Sequence, residues 1–377
     1  VYKIPFNKPT IVGKELFYIS QAIRNGYSAG DGGFTQKCHT LLESILNVPK
    51  VLLTTSCTHA LEMSARLLDI QHGDEVIVPS FTFVSTANAF VLCGANIRFI
   101  DIRPDTLNLD EDQLEDLITP RTKAVAAMHY AGVGCEMDRI MDVAEGHNLA
   151  IIEDNAHGLF GKYKGRFLGT FGTFGTLSFH ETKNFICGEG GALIINDPKY
   201  VERAEIIREK GTNRSQFFRG EIDKYTWVDI GSSYLPSDLL AAFLFAQLEE
   251  RDQIQRKRKS IWDRYASNLE DWAKTNDVQL PFIPAHCEQT YHIFYMILPD
   301  RNSRNNLIKH LKSKGILSVF HYVPLHLSPM GQKYGYQEGD LPNTESISDR
   351  LLRLPFYNQM NYEDQTQVIE AIQMFSV

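Results

Sequence analysis

The chain has no apolar run approaching the roughly 18 residues needed to span a bilayer, no CxxC pair, and no dense tract of basic residues. The first absence leaves no membrane-spanning helix to expect, and the N-terminus lacks the layout of a signal peptide. The second concerns the six cysteines, Cys38, Cys57, Cys93, Cys135, Cys187 and Cys287, which are scattered without paired spacing. That scatter argues against a zinc site or a disulfide framework and fits a reducing cytoplasm. The third, with 38 Lys and Arg against 46 Asp and Glu for a net charge of −8, removes the electrostatic footprint of a binder of nucleic acid or anionic membrane. An anionic small molecule would have to be met by a local basic patch. No internal repeat and no low-complexity segment interrupts the chain.

What is present is an ordinary globular composition, 43% apolar and 22% charged, over 377 residues, enough for two domains and a large core. After helical patterns at 13–25 and 36–46, separated by a glycine-rich turn at 29–33, strand-like and helix-like runs alternate. Strands are predicted at 51–54, 75–79, 97–101, 124–128 and 149–154, with helices at 58–68, 84–93, 111–117 and 137–145. Such alternation predicts an α/β fold: a mainly parallel central sheet with helices on both faces and a ligand crevice beyond the strands' C-terminal ends. A helix follows at 198–210, and a long helical run at 239–272 leads to a smaller C-terminal α/β part. There strands are expected at 291–298 and 316–322 and helices at 303–314, 345–352 and 362–374. The expected division is a large domain over 1–250 and a small one over 251–377.

Chemistry-bearing residues fall at the ends of these predicted strands. Segment 176–193 carries Ser178 and Lys183 between a strand-like run and the turn from Gly188 to Gly191. A lysine there, once desolvated, can form a Schiff base with an aldehyde or ketone. The 149–154 strand ends in Asp154, with His157 three residues on; a carboxylate so placed can keep a pyridine nitrogen protonated, as an electron-sink cofactor needs. Beyond 51–54, Thr55-Ser56-Cys57-Thr58 turns into a helix, and hydroxyls with free N–H groups at a helix N-terminus bind anions. Phe83 follows the 75–79 strand and is placed to stack on a planar ring. The polar stretch 211–233 interleaves Arg214, Arg219 and Lys224 with Phe217, Phe218, Tyr225 and Trp227. A connector this long usually has a task, and arginine forks with stacking aromatics suit a sugar nucleotide.

This constellation resembles the pyridoxal-phosphate-dependent transferases of fold type I, the aspartate-aminotransferase-like enzymes, and within them the DegT/DnrJ/EryC1/StrS sugar aminotransferases. The likeness runs from Ile4-Pro5-Phe6 through Ile152-Glu153-Asp154 and the 178–184 segment to Arg353-Leu354-Pro355. Segments 79–90 and 209–219 look most like the bacterial dTDP-4-amino-4,6-dideoxygalactose transaminases of surface-polysaccharide synthesis. The resemblance implies a homodimer with active sites at the subunit interface, a cytoplasmic setting, and pyridoxal 5'-phosphate as cofactor. It assigns Lys183 to the Schiff base and Asp154 to the ring nitrogen, His157 to the neighbourhood of the ring hydroxyl and Phe83 to the ring face. Cys57 through its backbone, Thr58 and Ser178 hold the phosphate on the same likeness, which also places the glycine-rich turn near the site. Many relatives add an Asn from the neighbouring subunit in a Gly-x-Asn-Tyr-Arg pattern; here Gly231-Ser232-Ser233-Tyr234-Leu235 puts Ser233 at that position. Arg214, His321 and Tyr322 are expected to meet the substrate, and no metal is expected.

The reaction so implied moves an amino group, with L-glutamate as donor, to a dTDP-4-keto-6-deoxyhexose, the galacto product being favoured. The gluco 4-amine and a 3-keto substrate remain open alternatives. Sugar 3-dehydratases of the same likeness carry His in place of the lysine, so Lys183 favours transamination. A non-catalytic binding or regulatory protein of this fold is disfavoured by the intact set Thr58, Asp154, Ser178 and Lys183.

Overall fold

The alternating runs assemble into a seven-stranded sheet in the order Lys50–Thr54, Gly191–Ile195, Phe174–Ser178, Ala150–Asp154, Thr122–Met128, Glu75–Pro79, Asn96–Ile100. The computed structural model describes residues 2–376. Gly191–Ile195 runs antiparallel to both neighbours, while the remaining adjacent strands pair in parallel, so the sheet is mixed. A single reversed strand follows from the direct hairpin connection, 179–190, joining it to Phe174–Ser178; parallel neighbours need a crossover instead.

Both faces of the sheet are covered, which is why its strands read as unbroken apolar runs. Successive side chains point to opposite faces. Val76 and Val78 accordingly join a core with Ala60, Met63 and Phe90, from the helices Cys57–Leu67 and Val84–Val91. Ile77 between them faces Ile140 and Val143 of the helix Met137–His147. Under the other end of the sheet, Leu53, Leu177 and Ile194 pack on Leu42 and Ala241, from Gly33–Leu46 and Asp238–Glu249. A separate cluster gathers Tyr265, Phe294, Met296, Leu311, Leu352 and Ile372 from the C-terminal third, and Ile4 from the N-terminal end joins it.

Several local expectations are corrected. The run at 239–272 is two helices, Asp238–Glu249 and Arg251–Thr275, interrupted at Glu250. Helical periodicity continues across that residue, so the pattern hides the break; Tyr18 and Lys14 grip Glu249 just before it, at 2.6 and 3.2 Å. Segment 316–322 forms no strand: among the described residues its backbone pairs through isolated bridges, Ile316 to Ile4 and Val319 to Arg353. Within 291–298 only Tyr295–Ile297 is a strand. The Tyr291 and His292 carbonyls before it are taken by the Arg258 guanidinium rather than a ladder. The 111–117 helix is two short 3-10 turns, and 345–352 divides into the helix Pro342–Arg350 and the strand Leu351–Arg353. Among the described residues no helix is long and apolar enough to cross a membrane.

Candidate active site

The connection between Phe174–Ser178 and Gly191–Ile195 folds back on itself. Phe179 N–H donates to Gly190 O at 2.8 Å, Cys187 N–H to Phe179 O at 2.8 Å and Glu181 N–H to Gly188 O at 3.0 Å. Gly188, at φ +88°, supplies the left-handed turn that this closure requires. Phe179, Phe185 and Cys187 are buried, so the loop is anchored on both sides of Lys183. The lysine side chain enters a cavity of about 480 Å³. Its amine has no hydrogen-bond or ion-pair partner among the described residues. Desolvation pulls the amine's pKa down to about 8; the Asp154 carboxylate opposes that shift, and the Arg353 charge adds to it.

Asp154 ends the strand Ala150–Asp154 and lines the same cavity, almost wholly buried. One carboxylate oxygen accepts from Thr86 Oγ1 at 2.6 Å, the other from Ala156 N–H at 3.2 Å. No cationic side chain forms an ion pair with it among the described residues. A buried carboxylate so placed calls for a cation in the cavity.

Ser56 caps the helix Cys57–Leu67, its hydroxyl accepting from His59 N–H at 3.1 Å. The Cys57 and Thr58 N–H groups have no protein acceptor among the described residues, and both residues line the cavity. Thr58 Oγ1 donates to Ser85 Oγ at 2.8 Å. Gly191 lets the reversed strand press against this helix start, since a Cβ there would fall on the Cys57 backbone nitrogen. Burial pushes the Cys57 thiol's pKa upward, so it stays protonated.

Three imidazoles form another wall. His157 stacks on His292 with ring centroids 4.2 Å apart and lies 6.2 Å from His321. Burial first, then nearby positive charge, lowers the pKa of each well below the usual histidine range, so all three are neutral at pH 7. Asn184 Oδ1 accepts from His292 Nδ1 at 2.8 Å, and Tyr130 Oη lies 3.0 Å from His321 Nδ1. His157 Nδ1 is buried without a partner.

Cys57, Thr58, Phe83, Asp154, His157, Ser178, Lys183, His321 and Tyr322 thus line one cavity. Two expected residues do not. Arg214 lies in a second cavity beside the Gly30–Gly33 turn, bonded to Glu209 at 2.9 Å and standing over the Phe218 ring at 5.0 Å. Ser233 is exposed and bridges to Glu209, next to Tyr234, whose carbonyl accepts from Thr55 N–H. Within one chain neither lines Lys183's cavity; the 211–233 stretch is bonded instead to the end of the helix Val201–Arg208, Gly211 N–H donating to Ile206 O and Ser232 N–H to Ile207 O. Sequence reasoning missed Thr86, His292 and Arg353. Thr86 was legible, one helical turn after Phe83 and so on the same face; His292 and Arg353 had no local signal.

These walls fit pyridoxal phosphate on their own features. Free N–H groups and hydroxyls suit its phosphate, a buried unpaired carboxylate its ring nitrogen, and an unpartnered imidazole nitrogen its polar ring edge. Phe83, 57% exposed on the cavity wall, offers a bare aromatic face to a planar ring. Fold and cavity together define a pyridoxal-phosphate-dependent aminotransferase of fold type I. The chain belongs to the DegT/DnrJ/EryC1/StrS aminotransferase family, which matches residues 9–373. It is 32% identical to the uncharacterized protein MJ1066 of Methanocaldococcus jannaschii over 376 residues, 98% of this chain and 96% of that one. It is 31% identical to the spore coat polysaccharide biosynthesis protein SpsC of Bacillus subtilis over 377 residues, with the same coverage of 98% and 96%. Its structure is similar to the pyridoxamine-phosphate form of the putative sugar aminotransferase Spr1654 of Streptococcus pneumoniae, with TM-score 0.92, 26% identity and 98% of each chain covered.

Proposed function

We propose that this aminotransferase moves the amino group of L-glutamate to C4 of a dTDP-4-keto-6-deoxyhexose, giving dTDP-4-amino-4,6-dideoxygalactose for a surface polysaccharide. The observation that carries the reading is the meeting of Lys183, Asp154 and the N-terminus of Cys57–Leu67 in one cavity. The likeness of segments 79–90 and 209–219 to the C4 transaminases supports the substrate, and the similarity to SpsC, a spore coat polysaccharide biosynthesis protein, supports the polysaccharide setting.

Bound pyridoxal phosphate supplies an electron sink that takes up the charge left when a bond at the donor's α-carbon breaks. The Lys183 amine, neutral above about pH 8, would be the group that holds the cofactor's aldehyde. With cofactor and donor bound, the same amine would be the group to take the donor's α-proton as general base and return it as general acid. Asp154, oriented by Thr86, keeps the ring nitrogen protonated. The Cys57 and Thr58 N–H groups, with the Thr58 and Ser178 hydroxyls, would bind the phosphate. Phe83 would cover the ring and exclude water from that face. His157, neutral, would meet the polar edge of the ring, while His321 and Tyr322 would line the sugar side.

Completion by a second copy belongs to the same reading. Trp227 and Phe218 are 77% and 68% exposed, and Leu16, Phe17 and Ile23 are exposed apolar residues on the N-terminal helix. Exposed apolar residues of this size mark an interface. In a homodimer, Arg214 and Ser233 of one copy would serve the other copy's cavity. The reading also places the enzyme in the cytoplasm and divides the chain at 250/251.

The deciding experiment is an amination assay with dTDP-4-keto-6-deoxyglucose and L-glutamate, the product's C4 configuration being read by NMR. The galacto 4-amine is expected. A gluco 4-amine or a 3-amino sugar would overturn the substrate assignment, and no amination of any keto sugar would overturn the reaction.

A further inference from the structure

The segment from Thr290 to His292 touches two walls of the Lys183 cavity at once. Thr290 Oγ1 donates to His157 O at 2.6 Å, and the Thr290 carbonyl accepts from Asn184 Nδ2 at 2.9 Å. The His292 ring stands 4.2 Å from that of His157, centre to centre, while its Nδ1 meets Asn184 Oδ1 at 2.8 Å. The segment is itself held from the helix Arg251–Thr275. There the Arg258 guanidinium donates to the Tyr291 carbonyl at 2.9 Å, to the His292 carbonyl, and to Asn358 Oδ1 at 3.0 Å. Asn184, Arg258, Thr290 and His292 are all buried.

These bonds select one tautomer. A carbonyl only accepts, so the Asn184 amide nitrogen faces Thr290 and the amide oxygen faces His292. His292 Nδ1 therefore carries the proton and donates it. Asn184 follows Lys183 in the chain, whereas Glu181 and Thr182, before the lysine, are exposed. Asn7 Nδ2 reaches Glu181 O at 3.2 Å, but the buried residue nearest Lys183 in the chain is Asn184. An amine that must meet an aldehyde on a bound ring depends on where it is held, and a displacement of about 1 Å can cost about 100-fold in rate.

We propose that His292 is a positioning residue for Lys183: its Nδ1–H holds Asn184 and so fixes where the lysine amine stands in the cavity. The inference rests on the transaminase reading, in which Lys183 captures the cofactor aldehyde. It adds a control on that lysine exerted through Asn184 from 108 residues further along the chain. A histidine that only filled space beside His157 would need its ring and not its donor.

The test uses cofactor-free wild type, His292→Phe, His292→Asn and His292→Gln. Phe keeps a ring against His157 and loses the donor; Asn carries an N–H near the Nδ1 position, and Gln near Nε2. Capture of pyridoxal 5'-phosphate is timed by stopped-flow absorbance. Calorimetry measures affinity for pyridoxamine 5'-phosphate, which has an amine in place of the aldehyde and cannot bond to the lysine. His292→Phe is expected to capture the aldehyde about 10- to 100-fold more slowly and to bind pyridoxamine 5'-phosphate as wild type does. His292→Asn is expected to recover most of the rate, and His292→Gln to stay slow. Asn184→Ala should slow capture at least as much, and adding His292→Phe to it should slow capture no further, as for residues that act through one contact. Wild-type capture by His292→Phe, or an equal loss of pyridoxamine 5'-phosphate affinity, would overturn the positioning role. If the Phe variant fails to fold, Gln decides: a wild-type rate there overturns it as well. If wild type itself captures no pyridoxal 5'-phosphate, the transaminase reading falls and this inference with it, whereas capture at one rate by wild type and variants removes the inference alone.

Discussion

Thr86 Oγ1 donates to Asp154 Oδ2 at 2.6 Å, and Thr86 shares a second hydroxyl bond, at 2.9 Å, with Thr82 one turn earlier. The helix Val84–Val91 therefore holds the carboxylate from above, at the end of its strand.

Thr86→Val keeps the shape and removes the donor. Asp154 then retains only the Ala156 N–H, and a buried group left short of a partner costs about 1–3 kcal/mol. Turnover should fall about tenfold or more, the low end of that range. Cofactor affinity, read by absorbance titration, should fall with it. Thr86→Ser should restore both; equal loss in the Ser variant would show that Thr86 acts by packing.

Lys183→Ala should abolish turnover and the absorbance band of covalently held cofactor while leaving the thermal melt cooperative. In wild type, capture of the cofactor aldehyde needs the neutral amine. Its rate should rise with pH to a midpoint near 8 rather than near the ordinary 10.5. Stopped-flow mixing of cofactor-free protein across that range would show which value governs.

The same depressed value has a stability consequence. Between about 8 and 10.5 the unfolded chain holds a proton here that the folded chain has released, so the cofactor-free protein gains stability as pH rises through that window. Below it both forms are protonated and the folded state bears the whole cost of a desolvated ammonium. Lys183→Met should therefore be more stable than wild type by about 3 kcal/mol at neutral pH. The difference should shrink toward zero as pH approaches 10.5. Urea midpoints of the two proteins at several pH values test this; a constant difference would contradict it.

Arg214→Ala should raise KM for the sugar nucleotide far more than KM for glutamate. Because Arg214 lies outside its own chain's cavity, the defect should be complementable. Mixing Arg214→Ala with Lys183→Ala subunits should regenerate one competent site per hybrid dimer and recover sugar-nucleotide affinity. No recovery on mixing would place Arg214's effect within its own subunit.

Trp227→Glu sets a charge in the exposed aromatic patch. Sedimentation should show a shift from dimer to monomer, with activity lost in step. A stable dimer after the substitution would move the interface elsewhere.

Strand ends were legible in the chain because each apolar run stops at a residue able to do chemistry: Thr54 before the hydroxyl turn, Asp154, and Ser178 before Lys183. Strand limits at 75–79 agree with the sequence pattern to the residue. The kink at Glu250 and the unpaired course of 316–322 were not legible. A ladder needs a neighbouring edge, and no local pattern says whether one is present.

The sequence by itself determined the order of strands and helices and which residue stands at each strand's tip, since alternation and chain neighbourhood are local properties. Only the tertiary structure decided that His292 and Arg353, from the C-terminal third, close the cavity opened by Lys183 and Asp154, and that Arg214 and Ser233 stand outside it. The reason is physical: proximity between segments more than a hundred residues apart is set by how the two cores pack against each other.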